Sequence, residues 1–401
     1  MSEGALHDLR VLEYGEFVSG PYCTKLLADL GAEVIKIEKP VIGDIARRRG
    51  PFLGDIPHPE HSGLFLYLNT NKLGITLNPS TTTGKKIFKE LIEKTDILVE
   101  ANQPKMIEDY GLSYEKLKEI NPKLIMTSIT PFGQTGPYKD YKAHNLNVFL
   151  SGGLGYIFSK HPPTKIGGFV GDYAGGLNAA LGTLGAVCAR DMNGFGQHVD
   201  VSKQETMIGL QRVTAVTYPN EGQSENLMTL LGGSIGASMG GLMECEDGHA
   251  IATTAEAHQW KNFTKLIEKP EFGDDKKYVN MFSRAAHYRK IEPHVTEWMM
   301  SHTKEEIYHK GQALSCPIVP VRSSDEIVNC KQMEARDFFL EIDHPEAGRL
   351  KYPQAAYRFS KTPWKVYRRA PLLGEHNEEI YCNRLGYPKK DLVMMAEGGI
   401  I

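Results

Sequence analysis

Chemistry has one obvious address in this chain, the stretch Gly167-Gly168-Phe169-Val170-Gly171-Asp172-Tyr173-Ala174-Gly175-Gly176, which continues through small, apolar, helix-forming residues to Arg190. A carboxylate set among glycines can be approached closely by a ligand, and a helix start favours its anion. Asp at such a position most often caps the helix. The same ionised group is also a fit nucleophile, and covalent catalysis through it divides one difficult acyl transfer into easier steps. Oxyanions formed along that route need donors. A second glycine-rich run, Leu231-Gly232-Gly233-Ser234-Ile235-Gly236-Ala237-Ser238-Met239-Gly240-Gly241, offers backbone N–H groups for them.

Other chemistries lack their residues. There is no GxSxG elbow for a serine nucleophile and no Walker A loop. The six cysteines, Cys23, Cys188, Cys245, Cys316, Cys330 and Cys382, are scattered without a CxxC pair. That speaks against a zinc site or a disulfide framework and fits a reducing cytoplasm. His58 and His61 have HxxH spacing around Pro59-Glu60. The proline opposes a ligand-bearing helix and no second pair is near, so an exposed loop and no metal are expected.

Length and composition set the frame for these groups. The 401 residues, 41% hydrophobic and 24% charged, describe a globular chain with room for two or three domains. A net charge of −3 gives no basic field for nucleic acid, and Arg47-Arg48-Arg49 is too short to supply one. No apolar run reaches the length of a membrane span, and Met1-Ser2-Glu3-Gly4 has no basic n-region. A cytoplasmic location is the expectation.

The scaffold that must position Asp172 reads as α/β. Leu9 to Glu13 has the look of a buried strand, Gly20-Pro21 opens a helix that Gly31 stops, and Glu33 to Glu38 is the next strand. Strand, helix and strand with a terminal acid imitate a dinucleotide-binding unit. The GxGxxG fingerprint is missing between Glu13 and Leu26, however, so a Rossmann-like scaffold with a different ligand is expected. Residues 40–75 read as loop. An extended Ile75 to Asn78, a helix from Gly84 to Ile92, a strand from Asp96 to Glu100, a helix from Tyr114 to Ile120 and a strand from Lys123 to Ile129 follow. After the Asp172 helix come a strand from Gly196 to Val201 and a helix from Lys203 towards Tyr218.

Such alternation predicts a mostly parallel sheet, with ligands beyond the strands' C-terminal ends. Those ends are Glu13 to Ser19, Glu38 to Asp44, Leu77 to Ser80, Glu100 to Gln103 and Thr130 to Gln134. Residues 219–241 change character and mark a boundary. Beyond them Asp247-Gly248 signals a hairpin, with helices at 256–267 and 282–310 and an extended Cys316 to Val321. The expected division is a large Rossmann-like domain over 1–218, a linker with a glycine loop over 219–241, a smaller α+β domain over 242–330, and a return segment over 331–401 that completes the large domain.

A set of short motifs runs in order through nearly the whole chain: Leu12-Glu13 through Gly20-Pro21, Leu30 to Glu38, Gly43-Asp44 with Arg47, Gly111-Leu112, Asn121-Pro122 and Phe132 to Pro137. Ser151-Gly152-Gly153, Gly171-Asp172, Gly194 to Val201 and Arg369 to His376 complete it. In order and spacing these resemble the family III CoA-transferases, which include formyl-CoA transferase and the carnitine CoA-transferases. The resemblance implies that Asp172 is the nucleophile. It would attack a donor acyl-CoA to give an aspartyl anhydride, pass through an aspartyl-CoA thioester, and deliver CoA to an acceptor acid. Coenzyme A enters as substrate, with no permanently bound cofactor.

The resemblance further implies CoA contacts at Val18, Ser19, Lys39, Leu77, Asn78, Ser80, Ala101, Asn102, Gln103, Lys142, Ala143, His144 and Asn145. Lys39 and Lys142 stand out, since phosphates need cations. Gly232, Gly233, Ser234, Gly236 and Ser238 match a mobile glycine loop that covers the intermediates. An interlocked homodimer is implied, or a heteromer with a related chain. The chain departs from the family pattern at Asp109, where an Arg is common, at Ala101-Asn102 in place of Asn-Phe, and at Asn145 in place of an acid. Val18 replaces a polar residue of formyl-CoA transferase, which argues against formate and oxalate and for a larger, partly apolar acid, with succinyl-CoA a common donor. An acyl-CoA racemase of the same superfamily is the alternative, since His144 lies upstream of Asp172 and could form the His and Asp pair that proton exchange requires.

Overall fold

The structure is a computed structural model that describes residues 4–157, 165–211, 242–278 and 280–401. Two compact units divide the chain. One comprises Met1–Gly155, Lys165–Arg212 and Asp337–Ile401; the other comprises Tyr156–Thr164 and Val213–Arg336.

The first unit is built on strands β1 (Arg10–Tyr14), β2 (Glu33–Glu38), β3 (Lys72–Thr76), β4 (Ile97–Glu100), β5 (Ile125–Thr130) and β6 (His198–Ser202). They form one sheet in the order β3-β2-β1-β4-β5-β6, and every neighbouring pair is parallel. This is the strand order of a dinucleotide-binding sheet. The connecting helices are α1 (Ser19–Asp29), α2 (Gly63–Leu68), α3 (Thr82–Ile92), α4 (Pro104–Tyr110), α5 (Tyr114–Ile120), α6 (Asn145–Ser151), α7 (Leu154–Ile157), α8 (Val170–Asn193) and α9 (Lys203–Gln211).

Side chains alternate across the strands, so each strand feeds two cores. Val11, Ile97, Val99 and Ile125 pack with Leu27 and Ala28 of α1 and with Ala179, Ala180 and Val187 of α8. Leu12, Leu98 and Met126 turn the other way, towards Ile87, Phe88 and Leu91 of α3 and Leu117 of α5. The α3 stripe recurs at helical spacing, and Thr81 Oγ1 caps that helix by accepting the Gly84 N–H at 2.9 Å.

In this unit the structure departs from the sequence expectation around residues 40–75. The supposed loop 40–75 contains α2, capped by Ser62, whose hydroxyl accepts the Phe65 N–H. β3 starts at Lys72 rather than Ile75, because its first residue is a fully buried lysine that breaks the apolar pattern.

The second unit carries an antiparallel sheet of β7 (Leu242–Cys245), β8 (Gly248–Ala252) and β9 (Ile318–Pro320), with the hairpin at Asp247-Gly248. Trp260, Phe263 and Leu266 of α10 (Ala257–Leu266) pack there with Val295, Trp298 and Met299 of α11 (Met281–Met300) and Ile307 of α12 (Lys304–Ala313). The single helix expected over 282–310 is therefore two. Thr303 and Glu306 form a capping box, a Thr-x-x-Glu signature that starts a new helix.

The chain then returns to the first unit through the hairpin β10 (Phe339–His344) and β11 (Gly348–Pro353). Ile380 and Tyr381, from a π-helical segment at Glu378–Arg384, complete the α3 side of the core. Among the described residues, no helix is long and apolar enough to cross a membrane, and no group of three or more His, Cys, Asp and Glu could hold a metal.

Candidate active site

In a sheet of this order, β1 and β4 are adjacent and their crossovers leave in opposite directions, which opens a crevice at their C-terminal ends. A cleft of about 270 Å³ lies there. Its walls come from Glu16–Ser19 after β1, Ala101–Pro104 after β4, Pro131 and the segment around Lys139 and Tyr141–Asn145 after β5, together with Asp172 and Lys203.

The turn from β1 into α1 is held from below by buried charge. Phe17 adopts φ 72°, a left-handed conformation costly for an aromatic residue. Its N–H is donated to Asp44 Oδ1 at 2.9 Å, and its ring meets Phe169 edge-on at 4.8 Å. Lys36 Nζ lies 2.7 Å from both Asp44 Oδ2 and Glu13 Oε1, while Lys72 Nζ donates to Glu13 Oε2 at 2.8 Å. Burial alone would raise the Glu13 carboxyl, but the two ammonium groups outweigh it and hold it at about 2. Burial pushes Lys72 down to about 8, and Glu13 offsets only part of this. Arg47, fully buried, forks onto Glu38 at 2.7 and 2.8 Å, reaches Glu60 at 2.6 Å and stacks 3.7 Å above Phe65. The Gly43, Asp44 and Arg47 group noted in the sequence thus works in the frame of the turn.

Asp172 is the third residue of α8, and the backbone cap position belongs to Phe169, which makes no side-chain cap bond. The buried first-turn amide of Gly171 is donated instead to Asn145 Oδ1 at 2.9 Å, and Asn145 Nδ2 donates to Gly168 O at 3.3 Å. Asn145 therefore closes the helix start from α6 and leaves the Asp172 carboxylate free of that task. Asp172 Oδ1 accepts from Lys203 Nζ at 2.8 Å and from Ser19 Oγ at 3.2 Å. Its side chain is 4% exposed and that of Lys203 12%. Oδ2 carries no hydrogen bond among the described residues.

Glycines bring these partners together. A Cβ on Gly176 would stand 2.6 Å from the Ser19 carbonyl oxygen, so its absence lets α8 lie against α1. A Cβ on Gly175 would stand 2.9 Å from Lys203 Cγ. Gly168, with φ 72°, has nothing within 4 Å of a Cβ position and turns the chain into α8 through open space.

Val18, Ser19, Ala101, Asn102, Gln103, Lys142, Ala143, His144, Asn145 and Asp172 all line this cleft. Val18 is fully buried, packed with Ala46, Leu64 and Phe65. Asn102 holds the two strand ends together, donating from Nδ2 to Tyr14 O at 2.7 Å. Lys142 is exposed, with no ion pair among the described residues.

Lys39, Leu77, Asn78 and Ser80 are not among the lining residues. Lys39 is paired with Glu16, a cleft residue, at 2.7 Å. Leu77 is fully buried in the α3-side core, and the Asn78 side chain accepts from Ser80 in the turn before α3. Gly232, Gly233, Ser234, Gly236 and Ser238 lie outside the described residues.

Among the cleft residues that the sequence reading missed, Lys203 is the one that contacts Asp172. It directly follows β6, and the strand-end rule that located the other loops, carried one strand further, would have found it.

Beneath the cleft, Glu100 ends β4 fully buried and accepts the Asn102 N–H at 2.8 Å. Burial pushes its carboxyl up to about 7, against the lowering effect of bonds from Ser128 and Asn102. The Ser128 hydroxyl also lies 2.9 Å from His198 Nε2, and burial lowers that imidazole from its ordinary value. A carboxylate with one oxygen unbonded among the described residues, an ammonium on its other oxygen and lysines along the cleft form an arrangement suited to anionic substrates and acyl chemistry.

Known proteins resemble this chain along nearly its whole length. The sequence model of CoA-transferase family III matches residues 6–377. The chain is 33% identical over 413 residues to a formyl-CoA:oxalate CoA-transferase of Streptomyces avermitilis, covering 99% of each protein. It is 31% identical over 404 residues to the succinyl-CoA–D-citramalate CoA-transferase of Chloroflexus aurantiacus, covering 99% of this chain and 98% of the relative. The crystal structure of a CAIB/BAIF family protein from Brucella suis superposes with a TM-score of 0.83 at 27% identity, over 96% of this chain and 100% of the other. A parallel Rossmann-like sheet, a cleft at its switch point and similarity along its whole length make this chain a member of CoA-transferase family III, and a CoA-transferase.

Proposed function

We propose that the protein moves CoA from a donor acyl-CoA to an acceptor carboxylic acid with Asp172 as the acyl carrier. The observation that carries this reading is the asymmetry of the Asp172 carboxylate, one oxygen held by Lys203 and Ser19 and the other, at the cleft, without a hydrogen bond among the described residues. The free oxygen attacks the thioester carbonyl, CoA leaves as thiolate, and an aspartyl anhydride remains. The thiolate then takes Asp172 over as an aspartyl-CoA thioester, and the acceptor acid reverses the sequence. Lys142 and Lys139 along the cleft wall, and Lys39 beside Glu16, are the cations for the phosphates of CoA.

Relatives named for oxalate and for D-citramalate both act on acids with more than one carboxylate, and succinyl-CoA is the donor in the name of one of them. A dicarboxylic acceptor with succinyl-CoA as donor is our reading for this chain. Racemisation through His144 and Asp172 has the cleft in common, yet the direct partners of Asp172 are Lys203 and Ser19, which favours acyl transfer. We also read the working form as a dimer of two copies, because α8 exposes Leu177 and Leu181 one turn apart, 54% and 70% accessible.

Incubation with a panel of acyl-CoA thioesters followed by hydroxylamine tests the mechanism. Conversion of Asp172 to its hydroxamate is the expected result. Exchange of the substrate's α-proton with deuterium, without labelling of Asp172, would overturn it in favour of racemisation.

A further inference from the structure

We infer that Lys203 Nζ and Ser19 Oγ form an oxyanion site for the carboxyl carbon of Asp172 itself, serving the two steps in which that carbon is attacked. The inference rests on the acyl-carrier reading of Asp172 and assigns a catalytic role to a lysine outside the expected CoA contacts.

Both donors converge on a single atom, Oδ1, at 2.8 and 3.2 Å, distances suited to an oxyanion. The site is built in. Lys203 is mostly buried, its stem packs where Gly175 lacks a Cβ, and Ser19 is held at the start of α1 by the contact that Gly176 permits. Oδ2, with no donor among the described residues, is the oxygen left to attack.

Charge then moves in a definite order. When Oδ2 attacks the donor thioester, its carbon–sulfur bond breaks and the electron pair leaves with the CoA thiolate. Asp172 becomes a neutral anhydride and Lys203 loses its counter-ion. An ammonium held out of water without a partner is costly, so the site now favours the return of negative charge at Oδ1. The thiolate supplies it: sulfur bonds to Cγ, the carbonyl electrons move onto Oδ1, and the oxyanion forms against the donors already in place. Collapse restores the carbonyl, breaks the Cγ–Oδ2 bond and releases the donor acid as a carboxylate carrying Oδ2. Attack on the aspartyl-CoA thioester by a carboxylate oxygen of the acceptor repeats the event at Oδ1 and expels the thiolate. In the last step the thiolate attacks the acceptor's acyl carbon, and Asp172 leaves as a carboxylate that regains Lys203. No step requires a proton.

The two roles of Lys203 have opposite signs. As partner of the resting carboxylate it lowers the nucleophilicity of Oδ2, so its loss should not slow the first attack. As an oxyanion donor it accelerates the second and third. A residue that merely positioned Asp172 would affect every step alike.

Single-turnover reactions of the full-length protein with succinyl-CoA separate these roles in Lys203→Met, Lys203→Arg and Ser19→Ala variants. Free thiol is followed with a thiol reagent and the enzyme–CoA adduct by intact mass. Lys203→Met is expected to release one equivalent of CoA thiol at least as fast as the unaltered protein. Its formation of the adduct should fall on the order of 10²- to 10³-fold, and kcat with it, while KM for succinyl-CoA stays within about threefold. Lys203→Arg should restore most of the adduct rate. Ser19→Ala, which keeps the charge, should lose roughly tenfold in the same step and carries the test if Lys203→Met does not fold.

Thiol release slowed as much as adduct formation would reduce Lys203 to a positioning residue and overturn the proposal, as would an unchanged adduct rate in both Lys203→Met and Ser19→Ala. If the unaltered protein transfers CoA from succinyl-CoA without ever releasing thiol or forming an adduct, the acyl-carrier reading itself fails.

Discussion

Replacing Asp172 with Asn keeps an oxygen for Lys203 and Ser19 to bind while removing the carboxylate proposed as nucleophile. Asp172→Asn and Asp172→Ala are both expected to lower kcat at least roughly 10³-fold with succinyl-CoA as donor, and neither should yield a hydroxamate after hydroxylamine treatment. The Asn variant should also melt at a lower temperature, because the mostly buried Lys203 loses its counter-ion, even though Asp172 does not cap α8. That division of labour was hidden in the sequence. The glycine context and the helix pattern singled out Asp172, but Asn145, which caps its helix at Gly171, and Lys203, which binds it, lie 27 and 31 residues away along the chain and arrive only through α6 and β6. Residue type and local spacing carry no information on such long-range partners. The parallel-sheet rule supplies it once the strand order is known.

At the scale of elements, the contact between α1 and α8 sets the distance between Ser19 and Asp172. Gly176→Ala would drive a methyl group to 2.6 Å from a backbone oxygen, so the helices must separate. A loss of about 1–3 kcal/mol in urea denaturation is expected, together with slower formation of the enzyme–CoA adduct. The end of β4 offers a second check. Glu100 has its carboxyl raised from 4.5 to about 7, so between those values the folded protein binds the proton that the unfolded chain has released. Stability from this group therefore falls as pH rises through that window, and above pH 7 the full cost, on the order of 3 kcal/mol, is present. Glu100→Gln should stabilise the protein at pH 8 and have little effect near pH 4.5, measured by denaturation at both. The strand itself was readable as an apolar run closed by an acid. The burial of that acid was not, since it depends on the Asn102 loop folding back over it. Likewise α2 was concealed by prolines and charges on either side, although its Ser62 cap and apolar core were in plain view.

On the scale of the whole molecule, Leu177 and Leu181 extend an apolar strip along α8 that nothing in the described unit covers. Light scattering with size-exclusion chromatography should give twice the mass of one chain, 44.7 kDa, for the chain expressed alone, and Leu181→Asp should shift the population towards the monomer. A mass of one chain that doubles only on adding a related subunit would indicate a heteromer. The parallel sheet and the three-stranded hairpin unit followed from alternation of strand and helix and from the Asp247-Gly248 turn. What crosses between distant parts of the sequence, such as the return of Ile380 and Tyr381 to the α3 side, leaves no periodic trace in the segment that makes the contact.

The charged frame under the β1–α1 turn has a consequence for temperature. Glu13, Lys36, Lys72, Asp44, Glu38 and Arg47 are all withdrawn from water, and the work of stripping ions of their hydration declines on warming. Apolar packing gains little over the same interval. The turn that holds Ser19 opposite Asp172 thus becomes relatively better supported as the protein is heated, while purely hydrophobic regions do not. The candidate site rests on the part of the scaffold whose internal balance improves with heat.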